Sequence, residues 1–323
     1  MGICISSASS QIRHETNGVG SIFEEDYKSY SVCGIQKLES ICSKQGSKGL
    51  NQDAAFSYQE FGGVEESDLV GVFDGHGQNG HIVSNIVKNR LPSLLLGQIT
   101  AKSSLMQSKS FDKWKEAFET SFKVMDKEIK LQENLDCSCS GSTAVVLVKQ
   151  GDNLVIGNLG DSRAVMGRMR DDGIEAVQLT TDLKPGLASE GERIRSCKGR
   201  VLALKEEAHI QRVWLPNEDA PGLAMSRAFG DFALKDYGII AIPDVSFRRL
   251  TSHDRFIVLA TDGIWDVLSN DQVASIVWAA ESEEAAAKAV VEAAAEAWKR
   301  YPSSKHDDCT AVCHFLQTHN ATE

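Results

Sequence analysis

Leu69-Val70-Gly71-Val72-Phe73 leads straight into Asp74-Gly75-His76-Gly77. A run of β-branched and aromatic residues reads as a strand, and Asp-Gly reads as the turn that ends it. The arrangement recurs. Leu154-Val155-Ile156-Gly157-Asn158-Leu159-Gly160 ends on Asp161-Ser162-Arg163, and Phe256-Ile257-Val258-Leu259-Ala260-Thr261 ends on Asp262-Gly263. A fourth segment reverses the order, with Asp307-Asp308 opening Cys309-Thr310-Ala311-Val312-Cys313-His314-Phe315. Strands are rigid, so carboxylates at their ends can be aimed at one point.

Working outward, strands are expected over Asp68–Phe73, Ser142–Lys149, Asn153–Asn158, Ser162–Arg168, Arg255–Ala260 and Thr310–Leu316. Tight turns such as Gln150-Gly151-Asp152-Asn153 favour antiparallel neighbours. Phe111, Trp114, Phe118, Phe122, Met125 and Ile129 form an amphipathic helical stripe that faces a core. Gly80–Leu91, Asp271–Trp278 and the Ala- and Glu-rich Ser282–Lys299 also read as helices. Strands mixed with long helices, without regular alternation, indicate a layered α+β fold, not a doubly wound one. The stretch Lys198–Gly222 has weak periodicity and reads as a long surface excursion.

The 323 residues suffice for one large domain with a sizeable core. Residues 1–30 are polar and Ser-rich and read as a tail, residues 31–316 as one catalytic domain, and 317–323 as a C-terminal tail. The net charge of -11 argues against a nucleic-acid partner, since phosphate-backbone binders concentrate Lys and Arg. The eight cysteines match no zinc spacing.

Gly75-His76-Gly77-Gln78-Asn79-Gly80 formally fits the dinucleotide pattern G-x-G-x-x-G. Asp74 opens it, however, and no acidic residue follows between Pro92 and Ser110 to hold a ribose. The carboxylates suggest another chemistry. Two of them about 4 Å apart repel by roughly 4 kcal/mol at an effective dielectric near 20. Several in one place therefore call for divalent cations, and an all-oxygen donor set suits Mg²⁺ or Mn²⁺. A pair of such ions can activate a water and clamp a phosphoryl group.

At this point the chain resembles a known family. The motifs are Asn51-Gln52-Asp53-Ala54, Val72 through Gly77, Gly141-Ser142-Thr143-Ala144-Val145, Asn158 through Arg163, Leu179-Thr180-Thr181-Asp182-Leu183-Lys184-Pro185, Met225-Ser226-Arg227-Ala228-Phe229-Gly230-Asp231, Ala260 through Asp266, and Asp307-Asp308-Cys309-Thr310. In this order they are similar to those of metal-dependent protein phosphatases of the 2C type, plant branch. The resemblance implies a four-layer αββα sandwich, two antiparallel sheets flanked by helix pairs, with metals in a cleft between the sheets. It implies a monomeric serine/threonine phosphatase acting on phosphoproteins, with two Mg²⁺ or Mn²⁺ ions and room for a third. Asp74 would bridge the two ions, the Gly75 carbonyl would bind one, and Asp262 and Asp307 the other. Asp53 would join that set, and Asp161 with Asp266 would hold the weaker third ion. A hydroxide between the main ions would attack phosphorus directly, and His76 would be the general acid for the departing alkoxide.

Two departures stand out. Gln52 replaces a usual Glu and loses its charge. Lys48 stands where a phosphate-binding Arg is usual, and an ammonium cannot clamp phosphate bidentately. They are the support for a rival reading as a non-catalytic scaffold on the same fold. Another two-metal phosphohydrolase, such as a nuclease, is a third reading, and the acidic balance counts against it. Arg163 and Arg227 are candidate helpers to Lys48, with structural ion pairs the favoured reading of both. By the same resemblance, the Lys198–Gly222 excursion flanks the cleft and contributes to substrate choice.

Met1-Gly2-Ile3-Cys4-Ile5-Ser6 matches the N-myristoylation pattern at Gly2, with Cys4 placed for palmitoylation. One chain anchors marginally and two anchor stably, so association with a membrane surface is expected to need both. A cytoplasmic protein is expected, acylation drawing it to the plasma membrane, with a nuclear fraction also compatible. Mass spectrometry of the protein from its native source should find Gly2 myristoylated. An unmodified Gly2 would remove the acylation reading.

Overall fold

The computed structural model describes residues 39–101, 111–301 and 306–316. Gly2, Cys4 and both expected tails lie outside them. In chain order, strands β1 (Glu39–Lys44), β2 (Asp53–Tyr58) and β3 (Ser67–His76) precede helices α1 (Gly80–Ala101) and α2 (Phe111–Lys130). Strands β4 (Gly141–Ser142), β5 (Ala144–Gln150), β6 (Asn153–Leu159), β7 (Arg163–Arg170) and β8 (Gly173–Gln178) follow. Next come α3 (Ala188–Ser196), β9 (Arg200–Ala203), β10 (Gln211–Trp214), β11 (Pro221–Leu223) and β12 (Phe229–Gly230). Then come β13 (Asp244–Arg249), β14 (Asp254–Ala260), α4 (Asp262–Trp265), α5 (Asn270–Trp278), α6 (Glu283–Trp298) and β15 (Cys309–Phe315).

Two antiparallel sheets face each other. One runs β1-β15-β14-β7-β8, the other β12-β4-β3-β5-β6-β13 with β2 also paired to β3. Period-two alternation builds the layers. On β3, Val70 and Val72 point between the sheets, where they meet Ile257 and Leu259 of β14 and Val312 of β15. Leu69 and Phe73 point the other way, onto α1 and α2. On β14, Phe256 and Val258 likewise turn outward onto α5 and α6. Strands buried on both faces explain why these runs are almost wholly apolar. The result is the expected four-layer sandwich.

Four of the elements expected from the sequence depart from expectation. Strand β3 runs on through Asp74 and Gly75 to His76, paired there to β4, instead of turning at the Asp-Gly pair. Helix α1 continues through Pro92 to Ala101 instead of stopping near Leu91. Val83, Val87, Leu91, Leu95 and Ile99 are all buried at four-residue steps, and this stripe outweighs a proline penalty of about 3 kcal/mol. The strand expected over Ser142–Lys149 breaks at Thr143 into β4 and β5. The supposed surface excursion at Lys198–Gly222 is in large part a three-stranded sheet, β11-β10-β9. Val201, Val213 and Leu223 bury one face of it against Ile194 of α3 and Met225.

This small sheet and α3 are tied to the sandwich by a buried carboxylate. Glu190, 2% exposed, takes Arg193 Nη1 at 2.6 Å, Arg227 Nη2 at 2.7 Å and the Ser226 hydroxyl at 2.6 Å. Arg227 also donates to the Ile242 carbonyl at 2.9 Å. Burial pushes the Glu190 carboxyl up, but hydrogen bonds from Arg227, Arg193 and Ser226 outweigh it and hold the pKa down at about 2. A depressed carboxyl contributes stability above its unfolded value of 4.5, and that stability is lost as pH falls towards 2. In urea unfolding, Glu190→Gln should therefore lose about 3–5 kcal/mol at neutral pH, with the gap to wild type closing in acid. A constant gap down to the acid limit would refute the assignment.

Candidate active site

The alternation that points Val70 and Val72 between the sheets also points Asp74 there, at the end where the apolar layer stops. Asp53 lies directly opposite Asp74 across the β2–β3 pairing. At Asp74 the ladder to the next strand changes character. The Asp74 N–H donates to the Thr143 hydroxyl at 3.0 Å, and the Thr143 N–H donates to the Asp74 carbonyl at 2.9 Å. Thr143 also shares a hydrogen bond of 2.7 Å with the Ser162 hydroxyl. The break between β4 and β5 thus fixes the Asp74 backbone.

From the facing sheet, β14 delivers Thr261 and then Asp262 at the start of α4. Thr261 donates its hydroxyl to Asp53 Oδ2 at 2.9 Å and its N–H to the Thr310 carbonyl at 3.1 Å, and its hydroxyl accepts from the Thr310 N–H at 3.1 Å. The two consecutive acids before β15 separate in role. Asp308 is buried and accepts from the Gly46 and Gln52 N–H groups at 2.8 and 2.9 Å, which makes it a bracket for the chain end. Asp307 is left facing the cleft, where it pairs with the Lys48 ammonium.

Asp74 and Asp262 lie close enough for the charge of one to act strongly on the other. Burial first, and then Asp262, Asp53, Asp307 and Asp161, drive the Asp74 carboxyl well above its ordinary value. Burial, Asp161, Asp307 and Asp266 do the same to Asp262. Burial also lifts Asp53 to about 7 against the hydrogen bonds of Thr310 and Thr261. Carboxyl groups this close hold either protons or cations between them. Asp53 Oδ1 and Asp161 Oδ1 are buried with no hydrogen-bond partner, as donors aimed at an ion would be. Among the described residues, no three His, Cys, Asp or Glu side chains form a ready coordination shell by themselves. A donor set completed by the Gly75 carbonyl and waters fits hard divalent cations such as Mg²⁺ or Mn²⁺.

Beside this group stands His76. Its Nε2 is 2.6 Å from Asp231 Oδ2, and its buried Nδ1 has no partner. Burial pulls the imidazole pKa down, but the charge and hydrogen bond of Asp231 overcome it and leave the group raised. Asp231 has φ of 49°, a strained setting for a residue with a side chain. The Gly230 N–H donates to Asp126 Oδ1 at 2.9 Å, and Lys235 Nζ holds Asp126 at 3.0 Å and the Ala228 carbonyl at 2.8 Å. Gly141 makes the dyad fit, because a methyl there would run into the Phe229 carbonyl and the Asp231 carboxylate. Sequence reading placed Asp231 in a motif without a role. Its link to His76 spans 155 residues and leaves no local signal.

The other expected residues divide. Asp161 is buried at the strand end and Asp266 sits at the exposed rim. Arg163 is structural, bidentate to Asp182 at 2.9 and 2.6 Å and stacked 5.0 Å from the Trp265 ring. Arg227 is the Glu190 partner. Gln52 donates its amide to the Gly77 carbonyl at 3.0 Å, which braces the turn that follows His76. Burial lowers the Lys48 pKa, but Asp307, with Asp262 and Asp74 behind it, raises it overall, so Lys48 shares the field of the cleft.

A two-sheet sandwich with carboxylates between the sheets and a histidine beside them defines a class of phosphatase. The family described as "Protein phosphatase 2C" matches residues 39–300. "Probable protein phosphatase 2C 72" of Arabidopsis thaliana is 53% identical over 328 aligned residues, 98% of each chain. "Probable protein phosphatase 2C 64" of Oryza sativa subsp. japonica is 48% identical, over 92% of this chain and 68% of that one. The crystal structure of a serine-threonine phosphatase 2C from Toxoplasma gondii superposes with a TM-score of 0.78 at 29% identity, covering 86% of this chain and 94% of that one. The chain belongs to the protein phosphatase 2C family. It is a serine/threonine protein phosphatase, and metal dependence follows from the family.

The crowding of Asp74 gives a direct test. In excess chelator, Asp74→Asn should raise the melting temperature, by about 2–4 °C for each kcal/mol of repulsion removed. A lower melting temperature would show that these carboxyls do not repel.

Proposed function

We propose that this phosphatase hydrolyses phosphoserine and phosphothreonine in proteins by direct attack of water on phosphorus, without a phospho-enzyme. The observation that carries the reading is the meeting of Asp74 and Asp262 beside the His76–Asp231 dyad. Asp74, the Gly75 carbonyl, Asp262 and Asp307 would hold the main pair of Mg²⁺ or Mn²⁺ ions, with Asp53 in support. Asp161 and Asp266 would hold a third. When bound, such a pair supplies the activated water and neutralises the phosphoryl oxygens.

The chain's own residues do the rest. Lys48 draws the phosphate by charge alone. Asp231 beside Nε2 favours the protonated imidazole, whose Nδ1 proton would serve the leaving serine or threonine oxygen. The Thr143 and Gln52 hydrogen bonds keep the Asp74 to Gly77 strand end from moving during the transfer.

Chelator should abolish phosphopeptide hydrolysis, and Asp262→Asn should do so even with Mn²⁺ in excess. His76→Gln should lose about 10²–10⁴-fold on a phosphoserine peptide. On an aryl phosphate, whose leaving group departs without a proton, it should lose far less. Equal losses on both substrates would remove the proton from His76, and full activity in chelator would remove the metal reading.

A further inference from the structure

Among the described residues, two ammonium groups pair with the acids of the cleft, and the steps above use only Lys48. The other is Lys184, in the loop between β8 and α3. That loop is fastened on both sides of the lysine. The Leu183 N–H donates to the Gly160 carbonyl at 2.9 Å, and the Leu183 carbonyl accepts from the Ser226 N–H at 2.8 Å and its hydroxyl at 2.7 Å. Asp182 is gripped by Arg163 through two hydrogen bonds of 2.9 and 2.6 Å. Pro185 follows, buried. The backbone is therefore set, and the side chain runs to Asp161, with Nζ 3.7 Å from Oδ2.

Asp161 has 3% of its side chain exposed and a second oxygen, Oδ1, without a hydrogen-bond partner. Burial works against the Lys184 charge, yet Asp161, Asp266, Asp262 and Asp182 together keep the ammonium charged. Reciprocally, the ammonium offsets part of the negative charge that Asp161 and Asp266 share. The lysine thus serves the two carboxylates assigned to the outermost ion. Its side chain is 43% exposed, so it can swing into solvent without unfolding anything.

We propose that Lys184 is a tethered cation for the Asp161–Asp266 pair, neutralising it and competing with the third divalent ion for the same carboxylates. The inference rests on the metal reading above. An ammonium is a compact charge on a flexible stem, well suited to stand in for a hydrated ion and to yield to one. The third ion is weak because it must displace a charge already in place.

The test is Mn²⁺ binding to the full chain, followed by calorimetry and by electron paramagnetic resonance of free Mn²⁺. Wild type, Lys184→Met and Lys184→Arg are compared, with Asp161→Asn as the variant lacking the outer site. Lys184→Met should tighten the weak class of Mn²⁺ by about tenfold, the scale of a unit charge removed from within a few ångströms of a divalent ion in a solvated cleft. Its tight class should be unchanged, which also reports that the variant is folded. Lys184→Arg should stay near wild type, and Asp161→Asn should lose the weak class with or without the lysine. An unchanged or weaker outer site in Lys184→Met overturns the proposal. A raised phosphopeptide KM with unchanged Mn²⁺ affinities would instead make Lys184 a phosphate ligand and overturns it too. If the wild type binds no Mn²⁺ at all, the metal reading falls and this proposal with it.

Discussion

Between the two sheets an apolar layer ends in carboxylates that repel one another, and the surrounding structure is arranged so that this end does not spread. Asp53, Asp74, Asp262 and their neighbours raise each other's proton affinity. Left to themselves they would part or draw in water. They stay together because each sits at or beside the end of a strand that cannot move. Asp74 continues a strand whose Leu69, Val70, Val72 and Phe73 are all fully buried. Asp262 continues a strand buried on both faces, and Asp307 precedes another. Each buried side chain of this kind contributes about 1.5–3 kcal/mol, so a few of them outweigh the local repulsion.

Hydroxyl groups and amides then settle the details. Thr143, Thr261 and Thr310 occupy the same inter-sheet layer one step behind the acids, and their hydrogen bonds fix backbone and carboxyl orientation together. Asp308 takes the backbone N–H groups of Gly46 and Gln52 and holds the β15 entry against the β1–β2 turn. The cations sit around the edge, in pairs that spend the excess negative charge locally: Lys48 on Asp307, Lys184 on Asp161, and Arg163 on Asp182. A site built this way is rigid before any ion arrives, which is what positioning a phosphoryl group requires.

Much of this was legible in the chain. Apolar runs ending on Asp-Gly marked the strands and the acids at their ends, because period-two alternation is a local property and survives without tertiary context. Where elements are short or interrupted, that signal fails. Strands β9, β10 and β11 have three or four residues each, too few for alternation to register, so the small sheet read as a loop. Pro92 read as a helix end because the stripe that overrides it becomes decisive only when its partners in α2 and the sheet are in place.

By itself the sequence determined which residue types stand at the strand ends, that they are acidic, and hence that hard cations suit them. It separated the all-oxygen set of aspartates from any zinc pattern, and the ordered motifs pointed to one family. Only the tertiary structure decided the pairings across long separations: Asp231 on His76, Glu190 between Arg193 and Arg227, Lys48 on Asp307 and Lys184 on Asp161. The reason is physical. A strand's alternation is written in adjacent residues, whereas a charge partner is chosen by distance and burial after the sheets have packed, and residues far apart in the chain carry no mark of meeting.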